Sequence, residues 1–255
     1  MEISAIFPAY NEAENIRPAI AKALETLSEL FDRFEILIVD DCGTDGTGQI
    51  ADELAAEHPE VRVIHNERNI GQGASIVRGF NEARYDLLLH NAMDCSFDMK
   101  DLSRMIPLLD RADIVAASRM GRPGYSFYRI IVSLVNRKLI RALFPLKLRD
   151  YSFVQLFPRA AWLEVNVEGR STGFMIPEAL IRAFDLGYRI EEIDIPYYPR
   201  LAGKATAGKP RVIIYSIYEL FRFWWKRFRG RTPRALTRRE GKGLGSSTSR
   251  SKVAG

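Results

Sequence analysis

Asp86-Leu-Leu-Leu-His-Asn-Ala-Met-Asp94-Cys-Ser-Phe-Asp98 is an aliphatic run that stops abruptly in a polar, acidic patch. So short an apolar stretch, bounded by charge, suits a strand buried on both faces in the middle of a parallel sheet, with Leu87 to Leu89 as its end. Asp94 and Asp98 then fall just past the carboxyl end of that strand, and in open α/β sheets this is the edge where ligands bind. A purely local alternative is that the two carboxylates cap a helix beginning near Lys100.

The flanking chain repeats the pattern. Ile3-Ser-Ala-Ile-Phe-Pro-Ala-Tyr reads as a first strand that ends at Pro8, because proline cannot continue a central ladder. A helix opens at Asn11 to Pro18, with Asn11 or Asn15 as its cap, and Ile20, Leu24, Leu27 and Leu30 carry it on. Phe34 to Val39 is a second strand, running into Asp40-Asp41-Cys-Gly-Thr-Asp45-Gly-Thr47. Ile50 to Ala56 is a helix and Val61 to His65 a third strand. Beyond the quoted stretch come a helix around Asp101 to Leu109, a strand over Asp113 to Ser118, and an alternating strand from Tyr188 to Pro196. Strands alternating with helices predict a doubly wound, mostly parallel α/β sheet with helices on both faces. Arg119, at the end of one strand, would share the sheet edge of Asp94. Asn66 to Gly79 is a glycine-bearing loop entering a helix; its spacing fits neither G-x-G-x-x-G nor the P-loop, which excludes those dinucleotide and ATP signatures. The plainer reading is that Gly71 and Gly73 supply a turn.

With 255 residues, 47% of them apolar, the chain can bury a substantial core without disulfides or structural metals. Its two cysteines, Cys42 and Cys95, are far apart, which fits a reducing compartment. No secretory signal is read at the start, and the apolar runs fall short of the roughly 20 residues of a spanning helix, so a cytoplasmic location is expected. The net charge of +5 is uneven: from Arg222 onward eleven Lys or Arg face one acid, Glu240, a net +10 that leaves the remainder at −5. A basic tail of this kind meets nucleic acid or an anionic membrane surface. The folded body carries no spread of basic residues, which argues against nucleic acid.

Two segments are amphipathic. Between Tyr125 and Leu148 an apolar face lies beside Arg129, Ser133, Arg137 and Arg141 at intervals of four; such a helix packs on its own core or lies in a membrane interface. From Val212 to Phe228 the polar Ser216, Glu219, Arg222 and Lys226 fall on one narrow stripe, and the wide remainder is apolar and aromatic, including Trp224-Trp225. That pattern suits an interfacial anchor. The expected organisation is a core over 1–210, an amphipathic interfacial helix over 211–230 and a disordered basic tail over 231–255. A loop bearing Arg200, Lys204 and Lys209 suits an anion such as a diphosphate, or is a solvated surface loop.

Phe7-Pro-Ala-Tyr-Asn-Glu-Ala-Glu-Asn-Ile16, Val39-Asp-Asp-Cys-Gly-Thr-Asp-Gly-Thr47, Asn69-Ile-Gly-Gln-Gly-Ala74 and Arg200-Leu-Ala-Gly203 occur in this order. Together they make the chain, from about Ile3 to Lys209, resemble the family 2 glycosyltransferases of the GT-A fold, in particular the dolichyl- and polyprenyl-phosphate sugar synthases. The resemblance implies a GDP- or UDP-sugar donor, a lipid phosphate acceptor, inversion in one displacement, and action as a peripheral protein on the cytoplasmic face of a membrane. It implies that Pro8, Tyr10 and Glu12 line the nucleotide pocket, that Asp41 reads the base edge, and that Asp40 and Asp45 support its loop. Gln72 stands in the binding loop where lysine is common, Gly43 where serine is usual, and Ala205-Thr206 where Ser-Lys is expected. The family's Asp-x-Asp signature, which holds Mg²⁺ or Mn²⁺ against the diphosphate, here reads Ala92-Met93-Asp94. Asp94 is therefore the expected metal ligand, with Asn91 or Asp98 assisting through water; one carboxylate suffices where the diphosphate supplies other ligands. Arg119, Arg200 and Lys204 are expected to stabilise the leaving diphosphate. A phosphate acceptor needs no general base. A hydroxyl acceptor would, with Asp150 and Glu178 as candidates, and a third reading is a nucleotide-sugar-binding scaffold that no longer catalyses.

Overall fold

The computed structural model describes residues 1–121, 123–198 and 210–230. The strands β1 (Glu2–Ala9), β2 (Arg33–Asp40), β3 (Val61–His65), β4 (Leu87–His90), β5 (Ile114–Met120), β6 (Gln155–Pro158) and β7 (Ile190–Pro196) form one sheet in the order β3-β2-β1-β4-β6-β5-β7. Its helices are α1 (Ile16–Leu30), α2 (Thr47–Glu57), α3 (Gln72–Glu82), α4 (Leu102–Met105), α5 (Phe127–Leu143), α6 (Arg159–Val165), α7 (Met175–Asp185) and α8 (Pro210–Phe228).

The quoted stretch sits at the middle of this sheet, as its pattern predicts. Leu87 and Leu89 pack into one core layer with α1, α2 and α4, while Leu88 faces the other layer with α3, α6, α7 and α8. Both faces of β4 are therefore apolar, which is why its sequence shows no alternation. The chain leaves β1 toward β2 and β3 on one side and returns to β4 on the other, so the order reverses between β1 and β4. The crevice at the carboxyl ends of these two strands is the place such a sheet offers a ligand.

Three local features differ from the sequence expectation. β6 runs antiparallel to both β4 and β5, while the other pairings are parallel. It is only four residues long, with Gln155 at one end and Pro158 at the other, so there is no period to read. The helix expected over 101–109 is the short α4 between 3₁₀ turns at Met99–Asp101 and Ile106–Asp110, because Pro107 has no N–H to continue an α-helical ladder. Asn15 occupies the N-cap position of α1 without a capping bond; its amide donates to Glu12 Oε2 at 2.7 Å instead.

Helix α8 is inside out relative to an ordinary surface helix. Its polar Ser216 and Glu219 are buried with Leu220 and Phe223 against the body. Arg222 and Lys226 pair with Glu168, and Arg227 with Asp185 at 2.6 Å. Ile214, Tyr215, Tyr218, Phe221, Trp225 and Phe228 are exposed. In α5, Phe127, Tyr128, Ile130, Ile131, Leu134 and Val135 are exposed too, and Ile140 is its one fully buried residue. Two neighbouring helices thus show solvent a broad apolar surface. No helix among the described residues is long and apolar enough to cross a membrane.

Candidate active site

The loops that follow β1 and β2 are stitched to each other at the sheet edge. Thr44 N–H donates to Asn11 Oδ1 at 2.8 Å, Glu12 N–H to the Thr47 hydroxyl at 2.8 Å, and Ala13 N–H to Asp45 Oδ2 at 3.0 Å. Asn11 (φ 55°) and Cys42 (φ 60°) adopt the left-handed conformation unfavourable to residues with a Cβ, which persists where surrounding bonds over-determine the backbone. Asp45 also accepts from the Thr47 hydroxyl and N–H. Burial pushes the Asp45 carboxyl up, but the bonds from Thr47 and the N–H groups of Ala13 and Thr47 outweigh it and hold the pKa below its ordinary value. Asp40 accepts from Gly43 N–H at 3.2 Å and bonds His65 Nδ1 at 3.0 Å, while His65 Nε2 reaches Asp52 at 2.9 Å. Asp40 and Asp45 therefore both brace this loop.

Asp41 is 2% exposed and engaged with the chain itself. It accepts from Asn66 Nδ2 at 2.9 Å and from the N–H groups of Ile70 and Gly71, each at 2.8 Å. It thus fixes the glycine loop ahead of α3. Gly71 takes φ 89°, a conformation suited to glycine. Gly73 does more than turn the chain, because a Cβ there would lie 2.3 Å from the carbonyl oxygen of Arg170. The start of α3 is wedged against the backbone at 170–172.

That backbone is held by two buried carboxylates. Glu178 accepts from the N–H groups of Glu168 and Gly169 and from Arg182 Nε. Glu219 of α8, 3% exposed, accepts from the N–H groups of Arg170 and Ser171 and from the Ser171 hydroxyl.

Above this wall and the end of β4 opens a cavity of about 370 Å³. Gln72, His90, Asn91, Asp94, Arg119, Arg129, Ser133 and Ser152 are among the polar residues of its lining. Ile131, Val132, Val135 and Leu139 of α5 and Ile213 and Ile217 of α8 line it with apolar surface. Asp94 is the one acid among the described residues lining it.

Of the site residues expected from the sequence, Gln72, Asp94 and Arg119 meet in this cavity. Pro8, buried, Glu12, half-buried, and Tyr10, 44% exposed, stand with Asp40, Asp41 and Asp45 at the adjoining ends of β1 and β2. Arg200 and Lys204 lie outside the described residues. Arg119 is already partnered: Nε and Nη2 reach Asp150 at 2.6 and 2.9 Å, Nη1 reaches the Tyr125 hydroxyl at 2.8 Å, and Nη2 also reaches Ser152. Burial opposes its charge, but the Asp150 pairing outweighs burial and the Arg119 pKa is raised. Asp150 and Glu178, the candidate bases, are both committed to arginines and backbone N–H groups.

Asp94 and Asp98 separate in role. Asp98 accepts from Lys100 N–H and pairs with Lys22 at 3.2 Å, which is the local capping alternative. Asp94, 5% exposed, accepts from Ser96 N–H at 3.1 Å and borders the cavity. No group of three or more His, Cys, Asp or Glu stands together to hold a metal among the described residues. The protein thus offers one carboxylate, with the Asn91 side chain nearby in the lining, and a Mg²⁺- or Mn²⁺-like ion fits only if a diphosphate supplies further oxygens. Residues that sequence reading did not single out are His90, Tyr125 and Thr172 in the lining and Glu219 behind it. A lone carboxylate on the polar stripe of α8 was the available signal for the last.

A family model described as glycosyl transferase family 2 matches residues 4–164. Among curated proteins, the chain is 30% identical over 239 residues to Glycosyltransferase AglD of Haloferax volcanii, covering 89% of this chain and only 37% of that longer protein. It is 30% identical over 216 residues to undecaprenyl-phosphate mannosyltransferase of Micrococcus luteus, covering 80% of this chain and 87% of that one. Among solved structures, glucosyl-3-phosphoglycerate synthase of Mycobacterium tuberculosis, in complex with Mn²⁺, UDP-glucose and phosphoglyceric acid, superposes with a TM-score of 0.65 at 18% identity, over 88% of this chain and 80% of that one.

Proposed function

The chain belongs to glycosyl transferase family 2 and has the GT-A fold, and from that premise we propose that it moves a sugar from a nucleotide-sugar donor to a polyprenyl phosphate at a membrane surface. The observation that carries the acceptor is the make-up of the cavity: one acid, Asp94, among its polar residues, and an apolar slot lined by α5 and α8. A hydroxyl acceptor needs a general base within hydrogen-bond reach. Asp150 and Glu178 are spent on structure. A phosphate is already an anion at neutral pH and needs no base, and a prenyl tail matches the slot. The relative from Micrococcus luteus carries an undecaprenyl-phosphate acceptor in its name, which supports the same reading.

In this reading the braced loops after β1 and β2 hold the nucleotide, with Tyr10 as a flat exposed face and Pro8 and Glu12 beside it. Asp41 keeps the Gly71 turn in place for the diphosphate. Asp94 would hold a divalent cation, Mg²⁺ or Mn²⁺, which when bound neutralises charge growing on the leaving diphosphate. Arg129 and Ser133 face the acceptor phosphate: Arg129 stacks its guanidinium over the Tyr125 ring at 4.0 Å, and this fixes its direction. Arg119, locked to Asp150, keeps the adjoining wall rigid. The exposed aromatic faces of α5 and α8 lie in the membrane interface, so the slot opens toward lipid. Placement on the cytoplasmic face, the basic tail over 231–255 and the charges of Arg200 and Lys204 belong to the same proposal.

The test is transfer. The full chain is incubated with Mn²⁺, radiolabelled GDP- and UDP-sugars and vesicles containing undecaprenyl phosphate or undecaprenol. Label in the organic phase with the phosphate only, lost in Asp94→Ala, is the expected result. Label on undecaprenol overturns the acceptor, and nucleotide-sugar binding without transfer favours a scaffold.

A further inference from the structure

Charge divides this chain by segment. Residues 1–113, which build β1 to β4, hold ten Lys or Arg against 22 Asp or Glu. Residues 114–149 hold eight Lys or Arg and no acid, and residues 210–230 hold five against one, the buried Glu219. The two cationic segments contain α5 and α8, the helices with the broad exposed apolar surface. On α5 the exposed Phe127, Ile131, Leu134, Lys138 and Arg141 recur at intervals of three and four, so they form one stripe along the helix. This stripe is apolar over its first turns and cationic in its last. At 1.5 Å per residue, Lys138 lies about 6 Å beyond Leu134 along the axis. On α8 the exposed stripe from Ile214 to Phe228 has Arg211 at one end and Arg229 at the other, and Arg229 stacks over the Trp225 ring at 4.4 Å. Arg119 is paired with Asp150, and Arg149 with Glu192 and Asp194, whereas Lys138 and Arg141 pair with no carboxylate of the described residues.

We propose that this surface docks on an anionic bilayer, with Lys138 and Arg141 of α5 and Arg229 of α8 holding lipid phosphates. The proposal deepens the membrane reading above, rests on it, and gives that membrane a charge. Apolar stripes that end in cations match a lipid boundary, where aliphatic and aromatic groups meet acyl chains and long basic side chains reach the headgroups. A nucleic acid or an acidic protein would lay charge against Phe127, Ile131 and Leu134, at a desolvation cost that a bilayer avoids. The stripes also set the attitude of the protein. Cations stand at both ends of α8, so it lies along the membrane plane. The exposed stripe of α5 is cationic only toward its C-terminal end, so its first turns go deeper. Those turns carry Arg129 and Ser133 of the cavity lining, so the part of the cavity assigned to the acceptor phosphate meets the headgroup layer. The strands of the acidic segment, β1 to β3, lie at one end of the sheet, while β5, which leads into α5, lies toward the other. An anionic leaflet therefore attracts one end of the molecule and repels the other, which turns the nucleotide loops toward water.

The experiment is sedimentation of the full chain with two kinds of vesicle, phosphatidylcholine alone and an equal mixture of phosphatidylcholine and phosphatidylglycerol. The variants are Lys138→Gln with Arg141→Gln, and the charge-conserving Lys138→Arg with Arg141→Lys, with thermal melting as the control for folding. Any contribution of residues 231–255 is common to all of them. Wild type is expected to bind the mixed vesicles at least about tenfold more tightly than the neutral ones, a difference that high salt removes. Each neutralised cation is expected to cost about fivefold, so the glutamine pair weakens binding to mixed vesicles about 25-fold and to neutral vesicles less than about twofold, while the charge-conserving pair binds as wild type does. Where the glutamine pair melts below wild type, the single substitutions replace it, each with the fivefold expectation. Equal binding of wild type to both vesicles, a glutamine pair indistinguishable from wild type on mixed vesicles, or equal weakening on both vesicles overturns the proposal. A glutamine pair that loses affinity for single-stranded RNA but not for mixed vesicles assigns the cations to nucleic acid and overturns it too. A wild-type chain that sediments with neither vesicle overturns the membrane reading itself.

Discussion

Glu219→Ala removes the acceptor of three donors from a site 3% exposed: the N–H groups of Arg170, at 2.9 Å, and Ser171, at 3.0 Å, and the Ser171 hydroxyl. The hydroxyl can rotate to another partner, whereas the two N–H groups cannot. An orphaned buried donor costs about 1–3 kcal/mol, so two of them at about 1.5 each destabilise the fold by about 3 kcal/mol. For a chain of this size that corresponds to a melting temperature lower by about 6–12 °C. Glu219→Gln retains one acceptor oxygen, and the Ser171 hydroxyl can turn to accept from the new amide, so its loss is expected to be about half. Circular dichroism melts of the full chain measure both. A second readout follows from position. Thr172 and Gly173 line the cavity, and a Cβ on Gly173 would come within 2.5 Å of Ser216 Oγ, so the backbone released by the substitution is the cavity wall. Below the melting range the variant should show a raised KM for lipid phosphate. A melting temperature within about 2 °C of wild type, or Glu219→Gln proving as destabilising as Glu219→Ala, refutes the reasoning.

Arg129→Ala removes a charge-assisted contact to the acceptor phosphate and should raise its KM roughly tenfold to a hundredfold, with nucleotide binding unchanged; steady-state kinetics with varied lipid phosphate decide. Ala92→Asp places a second carboxylate beside Asp94 and should tighten Mn²⁺ binding in the presence of GDP or UDP by at least about tenfold, read by electron paramagnetic resonance; no change counts against Asp94 as ligand. Trp225→Ser with Phe228→Ser, both in the exposed face of α8, should reduce sedimentation with anionic vesicles without lowering the melting temperature. The His65 pKa is raised above its ordinary 6.5, chiefly by the bond to Asp40, with burial opposing and Asp52 assisting. The folded state therefore holds this proton more tightly than the unfolded chain. Its contribution is full below pH about 6.5 and lost as pH rises through the raised value, so urea midpoints should fall across that window in wild type and fall less in His65→Gln. A His65→Gln profile as steep as that of wild type excludes the assignment.

The sheet was legible because its strands are buried on both faces and bounded by charge, a pattern that Leu87 to Leu89 and Phe34 to Val39 both carry. What the sequence hid depends on contacts between distant segments. Arg119 and Asp150 pair across a gap that contains all of α5, so the sequence placed Arg119 at the sheet edge without showing the carboxylate it is paired with. Asp41 looked like a reader of a base, and its observed partners, Ile70 and Gly71, lie a strand and a helix away. β6 was too short to show a period. Gly73 read as a turn residue because nothing in sequence announces the Arg170 carbonyl that a side chain there would strike.

The direction of α8 follows from the same limit and leads further. A helix with one narrow polar stripe places that stripe in water unless the protein supplies partners for it. Here the 168–173 backbone, Glu168 and Asp185 supply them, and the apolar majority is left outside. An inverted helix of this kind is unfavourable for a protein that stays in water, since Ile214, Tyr218 and Phe228 are each more than half exposed. It is reasonable where the outer face meets lipid. On that reading one helix has two tasks that cannot be separated by truncation: its outer face holds the interface, and its inner carboxylate holds the wall against which Gly73 and the acceptor slot are built. Replacing α8 by an unrelated lipid anchor should therefore restore vesicle binding and leave transfer to undecaprenyl phosphate impaired; full transfer by such a chimera would show that α8 is an anchor alone.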